Sequence, residues 1–322
     1  MKGRRENTTQ EGQYMRYISF GRKNVQVSEV VAGLMRIPQL SIPELEVLVE
    51  TCLEEGINAF DLADIYGGGK CEALVGELLA ARPDLRDKMW IQSKCGIHSD
   101  GFNYFDFSKE HILNSVDGIL SRLQTDHLDS LLLHRPDALM EPEEVAEAFD
   151  ILEAQGKVLE FGVSNQNPSQ MELLKKCVKQ PLAANQLQLS AAFTPSLDEG
   201  FNVNMQIEPG IVRGAGAFEY CRLHDIVIQA WSSLQHGYFQ GVFFGAPGYE
   251  KLNEKIDQLA AEKGVTNTAV ALAWILRYPG KTQAVIGTTK PERIRESARA
   301  CDFTLTRKEW YEIYLAAGNR LP

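Results

Sequence analysis

Phe60-Asp61-Leu62-Ala63-Asp64-Ile65-Tyr66-Gly67 runs a short apolar strand into a glycine-rich turn. Gly56 precedes it and Gly67-Gly68-Gly69 follows, so the spacing predicts a strand over 58–63 with turns at both ends. Alternation puts Ala59, Asp61 and Ala63 on one face and Phe60 and Leu62 on the other. A carboxylate on the small-residue face calls for a cationic partner. Tyr66 falls just past the strand, in a loop where a phenol can face a ligand. Taken alone, the segment reads as a solvated Asp beside an ordinary loop Tyr, and the rest of the chain has to decide.

On either side, the pattern repeats. Upstream, 17–20 and 25–28 flank Gly21-Arg22-Lys23-Asn24 as a hairpin, and 30–35 is an apolar run of the kind buried on both faces. Ser41 and Glu44 form a capping box ahead of Leu45, Leu48, Val49, Cys52 and Leu53 at helical spacing. Downstream, strands are expected at 89–94, 128–134, 158–165, 183–189, 227–231 and 284–287. Helices are expected at 72–81, 108–123, 142–155, 168–178, 216–224, 250–263, 267–277 and 290–300, with a terminal one at 306–317. Eight strands alternating with helices predict an α/β fold, a closed (β/α)8 TIM barrel with an N-terminal β-hairpin and a C-terminal extra helix. Long loops follow strands six and seven, at 191–215 and 235–249, and a barrel would place both on its catalytic face.

The totals agree with one such domain over 15–322, with residues 1–14 set apart as a disordered tail without the apolar stretch of a secretory signal. The chain has 322 residues, and a barrel commonly needs roughly 250 plus insertions. A net charge of −10 argues against nucleic acid or an anionic membrane as partner. No run approaches the roughly 20 apolar residues of a membrane helix. The six cysteines show neither a CxxC pair nor a Cys/His metal spacing, which points to reduced thiols in the cytoplasm and no metal. Oligomeric state leaves no mark in these patterns.

Polar residues at the carboxyl ends of apolar strands are the candidates for chemistry. Asp61 and Tyr66 end strand two, Lys94 ends strand three and His134 ends strand four. Together they suit carbonyl reduction. An ammonium beside a phenol lowers its pKa from about 10, so Lys94 would activate Tyr66. Asp61 would hold Lys94, His134 would orient the substrate oxygen, and Tyr66 would deliver the proton as hydride arrives.

The motifs FDLADIYG, SKCG and LLLHRPD resemble, in that order, those that carry the Asp, Tyr, Lys and His of the aldo-keto reductases. The resemblance runs from about Tyr17 to Ser297 and is nearest a bacterial-type oxidoreductase subgroup with DFSKEHI at Asp106–Ile112. It implies a catalytic tetrad of Asp61, Tyr66, Lys94 and His134, NADPH as cofactor and a small-molecule carbonyl as substrate. Cofactor contacts are implied for Gly33 and Met35, for Ser164, Asn165 and Gln186 around the nicotinamide carboxamide, and for Trp231, Ser232 and Leu234, with Trp231 stacking on the nicotinamide. At Gly287, Thr288, Thr289, Lys290, Arg293, Glu296 and Ser297 the resemblance implies the 2′-phosphate and adenine end. Thr289 and Glu292 form a capping box there, so the helix start is also an anion site in its own right. Two positions depart from the common family pattern, Gly287 where a phosphate-binding Lys is frequent and Ser297 where Asn is. Tyr104, Phe105, Tyr238, Phe239 and Phe244 are expected to surround the substrate. Two other readings compete, an NADPH-binding regulatory subunit with slow turnover and a Schiff-base lyase using Lys94.

Overall fold

The computed structural model describes residues 15–322, so the expected tail at 1–14 lies outside the described residues. Strands β1 (Tyr17–Phe20) and β2 (Val25–Ser28) form an antiparallel hairpin. Next come β3 (Val30–Gly33), β4 (Ala59–Asp61) and β5 (Trp90–Cys95), then a second hairpin of β6 (Ile97–Asp100) and β7 (Phe102–Phe105). The remaining strands are β8 (Leu128–Leu133), β9 (Val158–Ser164), β10 (Leu182–Gln188), β11 (Val227–Trp231) and β12 (Thr282–Ile286). A closed parallel barrel runs β3-β4-β5-β8-β9-β10-β11-β12 and back to β3. Helices cover the outside, as the (β/α)8 expectation requires.

Period-two alternation sorts each strand between two apolar layers. Phe60 and Leu62 pack outward with the helices, whereas Ala59 turns into the barrel with Val31, Trp90, Leu132 and Val227. Phe60 is 0% exposed, and burial of such a side chain stabilises the fold by roughly 1.5–3 kcal/mol. Ile18, Phe20 and Val27 of the first hairpin join the interior layer, and the Phe20 ring sits 5.1 Å from that of Trp90. The hairpin thereby plugs the lower end of the barrel.

Above this apolar plug lies a polar layer, set in register across the strands: Asp61 pairs with Gln92, Gln92 with Ser130, and Gln186 with Gln229, which pairs with Gln283. Their side chains bond one another across the lumen. The Gln92 amide donates to Asp61 Oδ1 at 2.7 Å and to Gln229 Oε1 at 2.8 Å, and Ser130 donates to Gln92 Oε1 at 2.9 Å. Buried amides of this kind persist only when paired, so the layer forms a fixed floor.

Caps stand where the sequence places two of them: Glu44 accepts the Ser41 backbone N–H at 2.8 Å, and Ser108 Oγ accepts that of His111 at 3.3 Å. The C-terminal helix Arg307–Ala316 stacks Trp310 on Trp274 at 4.8 Å, each indole N–H donating to the other residue's carbonyl at 3.0 Å. Two expectations need correction. The first barrel strand ends at Gly33 instead of residue 35, and the chain forms the unexpected β6–β7 hairpin after strand three. Asp100-Gly101, with Gly101 at φ +73°, supplies the turn that this hairpin needs. Among the described residues no helix is long and apolar enough to cross a membrane.

Candidate active site

Asp61, Tyr66, Lys94 and His134 come together at the upper face of the polar floor. Lys94 is 0% exposed, and its Nζ donates to Asp61 Oδ2 at 2.7 Å, to the Leu62 carbonyl at 2.7 Å and to Tyr66 Oη at 3.2 Å. All three donors of the ammonium are therefore used. Asp61 Oδ1 accepts from Gln92 and, at 2.9 Å, from Gln186, so the carboxylate is satisfied as well. Tyr66 opens a short 3-10 turn, Tyr66–Gly69, in which Gly67 and Gly68 take left-handed conformations at φ +59° and +64°. That turn folds the phenol back over Lys94, 5.0 Å from Nζ to the ring centroid. His134 faces Tyr66 edge-on, with ring centroids 5.9 Å apart.

Electrostatics set the protonation states. Burial lowers the Lys94 pKa, but Asp61 and Tyr66 more than offset it, and Lys94 stays an ammonium. That state is a poor nucleophile, which counts against a Schiff base at Lys94. Burial pushes the Tyr66 phenol above its ordinary value, with Lys94 pulling the other way. The expected downward pull of Lys94 on the phenol is present, but desolvation outweighs it and the net shift is upward. Burial, then Lys94 and Arg135, hold His134 well below the usual imidazole value and keep it neutral. Its buried Nδ1 has no hydrogen-bond partner.

A cavity of about 970 Å³ opens over these groups. Asp61, Tyr66 and His134 line it, while Lys94 lies behind. Its wall also contains Gly33, Met35, Ser164, Asn165, Gln186, Trp231, Ser232, Leu234, Gly287, Thr288, Thr289, Lys290, Arg293, Glu296 and Ser297, every position for which a cofactor contact is expected. Gly33 has to be glycine, since a Cβ there would come 2.8 Å from the Ile286 carbonyl oxygen. Ser164 Oγ bonds the Gln186 carbonyl at 2.9 Å and accepts from the Asn165 amide at 2.7 Å, and Asn165 Oδ1 accepts from the Trp231 indole at 3.1 Å. Asn165 and Ser232 hold left-handed backbone at φ +56° and +54°, a strained state that clusters at ligand-binding sites.

The Thr289–Glu292 capping box does not form. Helix Pro291–Ala298 has Lys290 at its N-cap with no side-chain cap, and Thr288 Oγ instead accepts the Lys290 N–H at 3.1 Å. Pro291 at the first helical position moves the start one residue on, leaving Thr289 outside. The anion-binding character survives, since neither the Lys290 ammonium nor the Arg293 guanidinium has an ion pair or hydrogen bond among the described residues, and both face the cavity.

The family model for the Aldo/keto reductase family matches residues 29–315. The chain belongs to this family. It is 37% identical to a 6-dehydroglucose reductase of Agrobacterium fabrum, over 92% of this chain and 97% of that protein. Identity with the oxidoreductase YdhF of Escherichia coli is 35%, over 93% and 97% of the two chains. Among solved structures, an aldo-keto reductase from Klebsiella pneumoniae in complex with NADPH superposes with a TM-score of 0.72 at 23% identity, covering 93% of this chain and 94% of that one.

Within this aldo/keto reductase fold, several site residues had escaped the sequence reading. Arg135 lines the cavity beside His134, its guanidinium 5.3 Å from the Trp231 ring and 5.7 Å from that of Tyr238. Arg36 also lines it and donates to the Gly287 carbonyl at 3.2 Å, which brings a cation to the place where Gly287 supplies none. Gln92 and Gln229 brace Asp61 from below. Arg135 was legible as the residue after His134, whereas the glutamines sit on apolar strands whose pairing no local pattern discloses. Of the expected aromatics, Phe105, Tyr238, Phe239 and Phe244 line the cavity, but Tyr104 stacks on His98 at 4.4 Å instead. Loop 235–249 contributes to the wall, as expected, whereas no residue of 191–215 does. The latter folds on itself through helix Pro195–Phe201 and Glu199, which accepts the Gly214 and Gly216 N–H groups at 2.7 Å each.

Proposed function

We propose that the chain reduces an aldehyde or ketone to the alcohol with NADPH, Tyr66 acting as general acid. The carrying observation is the closed chain of contacts Asp61–Lys94–Tyr66, with His134 neutral beside it, at the floor of the cavity. NADPH, when bound, supplies the hydride to the carbonyl carbon. The cavity fits it: Trp231, Ser164, Asn165 and Gln186 would hold the nicotinamide, and Lys290, Arg293 and the helix start at Pro291 the phosphates.

Tyr66 Oη and the neutral His134 hydrogen-bond the substrate oxygen and bring its carbon within reach. As negative charge grows on that oxygen, Tyr66 gives up its proton and Lys94 stabilises the phenolate left behind. Asp61 keeps Lys94 charged and in place, with the glutamine floor fixing Asp61. A raised phenol pKa keeps Tyr66 protonated throughout the neutral range, so the acid is loaded when substrate arrives. Arg135, packed against both Trp231 and Tyr238 without an anionic partner among the described residues, favours substrates with a carboxylate or several hydroxyls near the carbonyl. Oxidised sugars that carry an aldehyde are the first to try, given the 37% identical relative.

The test is a panel of aldehydes, ketones and oxidised sugars run with NADPH and with NADH, for wild type and Arg293→Ala. Turnover with NADPH, and at least a tenfold weaker NADPH KM in the variant with NADH nearly unchanged, is expected, since charge-assisted hydrogen bonds contribute roughly 1.5–3 kcal/mol. Equal losses for both cofactors would remove Arg293 from the 2′-phosphate. Tight NADPH binding with no turnover on any member would favour the regulatory reading.

A further inference from the structure

Away from the cavity floor, three metal-binding side chains converge at the root of the β6–β7 hairpin. One ring nitrogen each of His98 and His111 and one carboxylate oxygen of Asp106 lie within 4.8 Å of one another. The elements that bring them together are distinct: His98 sits on β6 opposite Tyr104, Asp106 follows β7, and His111 is in the first turn of helix Lys109–Leu123. Each is already held in place. Tyr104 stacks on His98 at 4.4 Å with planes 5° apart, and the His98 and His111 rings are 4.1 Å apart. Asp106 spends Oδ1 on the Ser108 N–H at 2.8 Å and turns Oδ2 toward His98, and Ser115 Oγ lies 3.2 Å from His111 Nε2.

His98 Nε2 is buried without a hydrogen bond, 3.4 Å from Asp106 Oδ2. Two ligands about 2.1 Å from a tetrahedral ion are about 3.4 Å apart, so this pair already has the separation that coordination requires. His111 brings a ring nitrogen within 4.8 Å of both. The buried ring nitrogen of His98 thus faces the carboxylate oxygen at ion-pair distance with no hydrogen bond between them.

We propose that His98, Asp106 and His111 form a binding site for a borderline divalent transition-metal ion of the Zn²⁺ class. Two imidazoles and one carboxylate match that class better than the all-oxygen sets of Mg²⁺ or Ca²⁺, and three protein ligands leave a position open to water. The ion clamps the hairpin onto the start of helix Lys109–Leu123. Because Ile97, Asn103 and Phe105 of this hairpin face the cavity, the clamp also fixes part of its wall. The proposal does not depend on the reaction assigned to the cavity.

Co²⁺ titration of the full chain, followed by visible d–d absorption, tests it, with Zn²⁺ competition and calorimetry alongside. Wild type is expected to take up one equivalent of Co²⁺ that Zn²⁺ displaces, and Zn²⁺ to slow amide exchange over 97–105. His98→Ala, His111→Ala and Asp106→Asn should each weaken binding at least tenfold, with circular dichroism unchanged. His98→Gln serves should the alanine variant not fold, and His127→Ala, outside the cluster, should bind as wild type does. No stoichiometric Co²⁺ uptake by wild type, or wild-type binding in folded His98 and His111 variants, would overturn the site.

Discussion

The barrel floor and the barrel mouth each hold a cation, and the two are treated in opposite ways. Lys94 in the floor is fully buried, with its three donors taken by Asp61, the Leu62 carbonyl and Tyr66. Arg135 in the mouth rests against two aromatic rings and has no anionic partner among the described residues. Charge that the protein satisfies itself is fixed machinery, while charge left open to a cavity is there for something that enters. The same contrast separates the two long loops. Loop 235–249 leaves Tyr238 and Phe239 half open over the cavity, whereas 191–215 satisfies its backbone through Glu199 and stays away.

If the floor is a closed unit, removing one member has to cost both stability and rate. Lys94→Met leaves Asp61 as an uncompensated buried carboxylate, and such a loss destabilises by roughly 3–5 kcal/mol. Denaturant unfolding should show a drop of that size, and turnover should fall by at least about 10²-fold. A fully active, equally stable Lys94→Met would break the distinction between floor and mouth.

At the mouth, the effect is smaller and depends on substrate. Arg135→Leu should raise KM about tenfold for a carboxylate-bearing aldehyde, as expected for one lost charge-assisted contact. For a neutral aldehyde of the same size the change should stay within about twofold, with kcat little altered for either. Parallel changes for the two substrates would mean that Arg135 only braces Trp231 and Tyr238.

Asp64 lies near Lys94 and the Glu72–Arg122 pair, outside the cavity wall, and its effect is the mildest. Burial, with Glu72 next, pushes its carboxyl from an ordinary 3.8 up to about 7, and its Oδ1 lacks a partner. The fold therefore prefers the protonated acid. This contribution is complete below the unfolded pKa and is lost as pH rises through about 7. Asp64→Asn, which cannot ionise, should flatten the melting temperature between pH 4 and about 7 relative to wild type. An unchanged slope would place the pH dependence elsewhere.

How much of this could be read from the sequence follows the same division. Short, largely apolar strands between turn residues disclosed the barrel, and polar residues at their ends disclosed Asp61, Tyr66, Lys94 and His134. The floor glutamines stayed hidden because Gln92, Gln229 and Gln283 meet only after strands far apart in sequence have paired. The β6–β7 hairpin was missed although Asp100-Gly101 announces it, because Ile97-His98-Ser99 lacks a clean alternation. The pull of Lys94 on Tyr66 is visible in the motifs, but the desolvation that outweighs it comes from the closed barrel, which no motif discloses.

The role of Tyr66 is the point on which the proposed reaction stands. Loss of NADPH absorbance with the best aldehyde of the panel, wild type against Tyr66→Phe at saturating cofactor, measures it. The phenylalanine variant should bind NADPH as wild type does and turn over at least about 10²-fold more slowly. Equal turnover in the two proteins would show that the proton comes from another group.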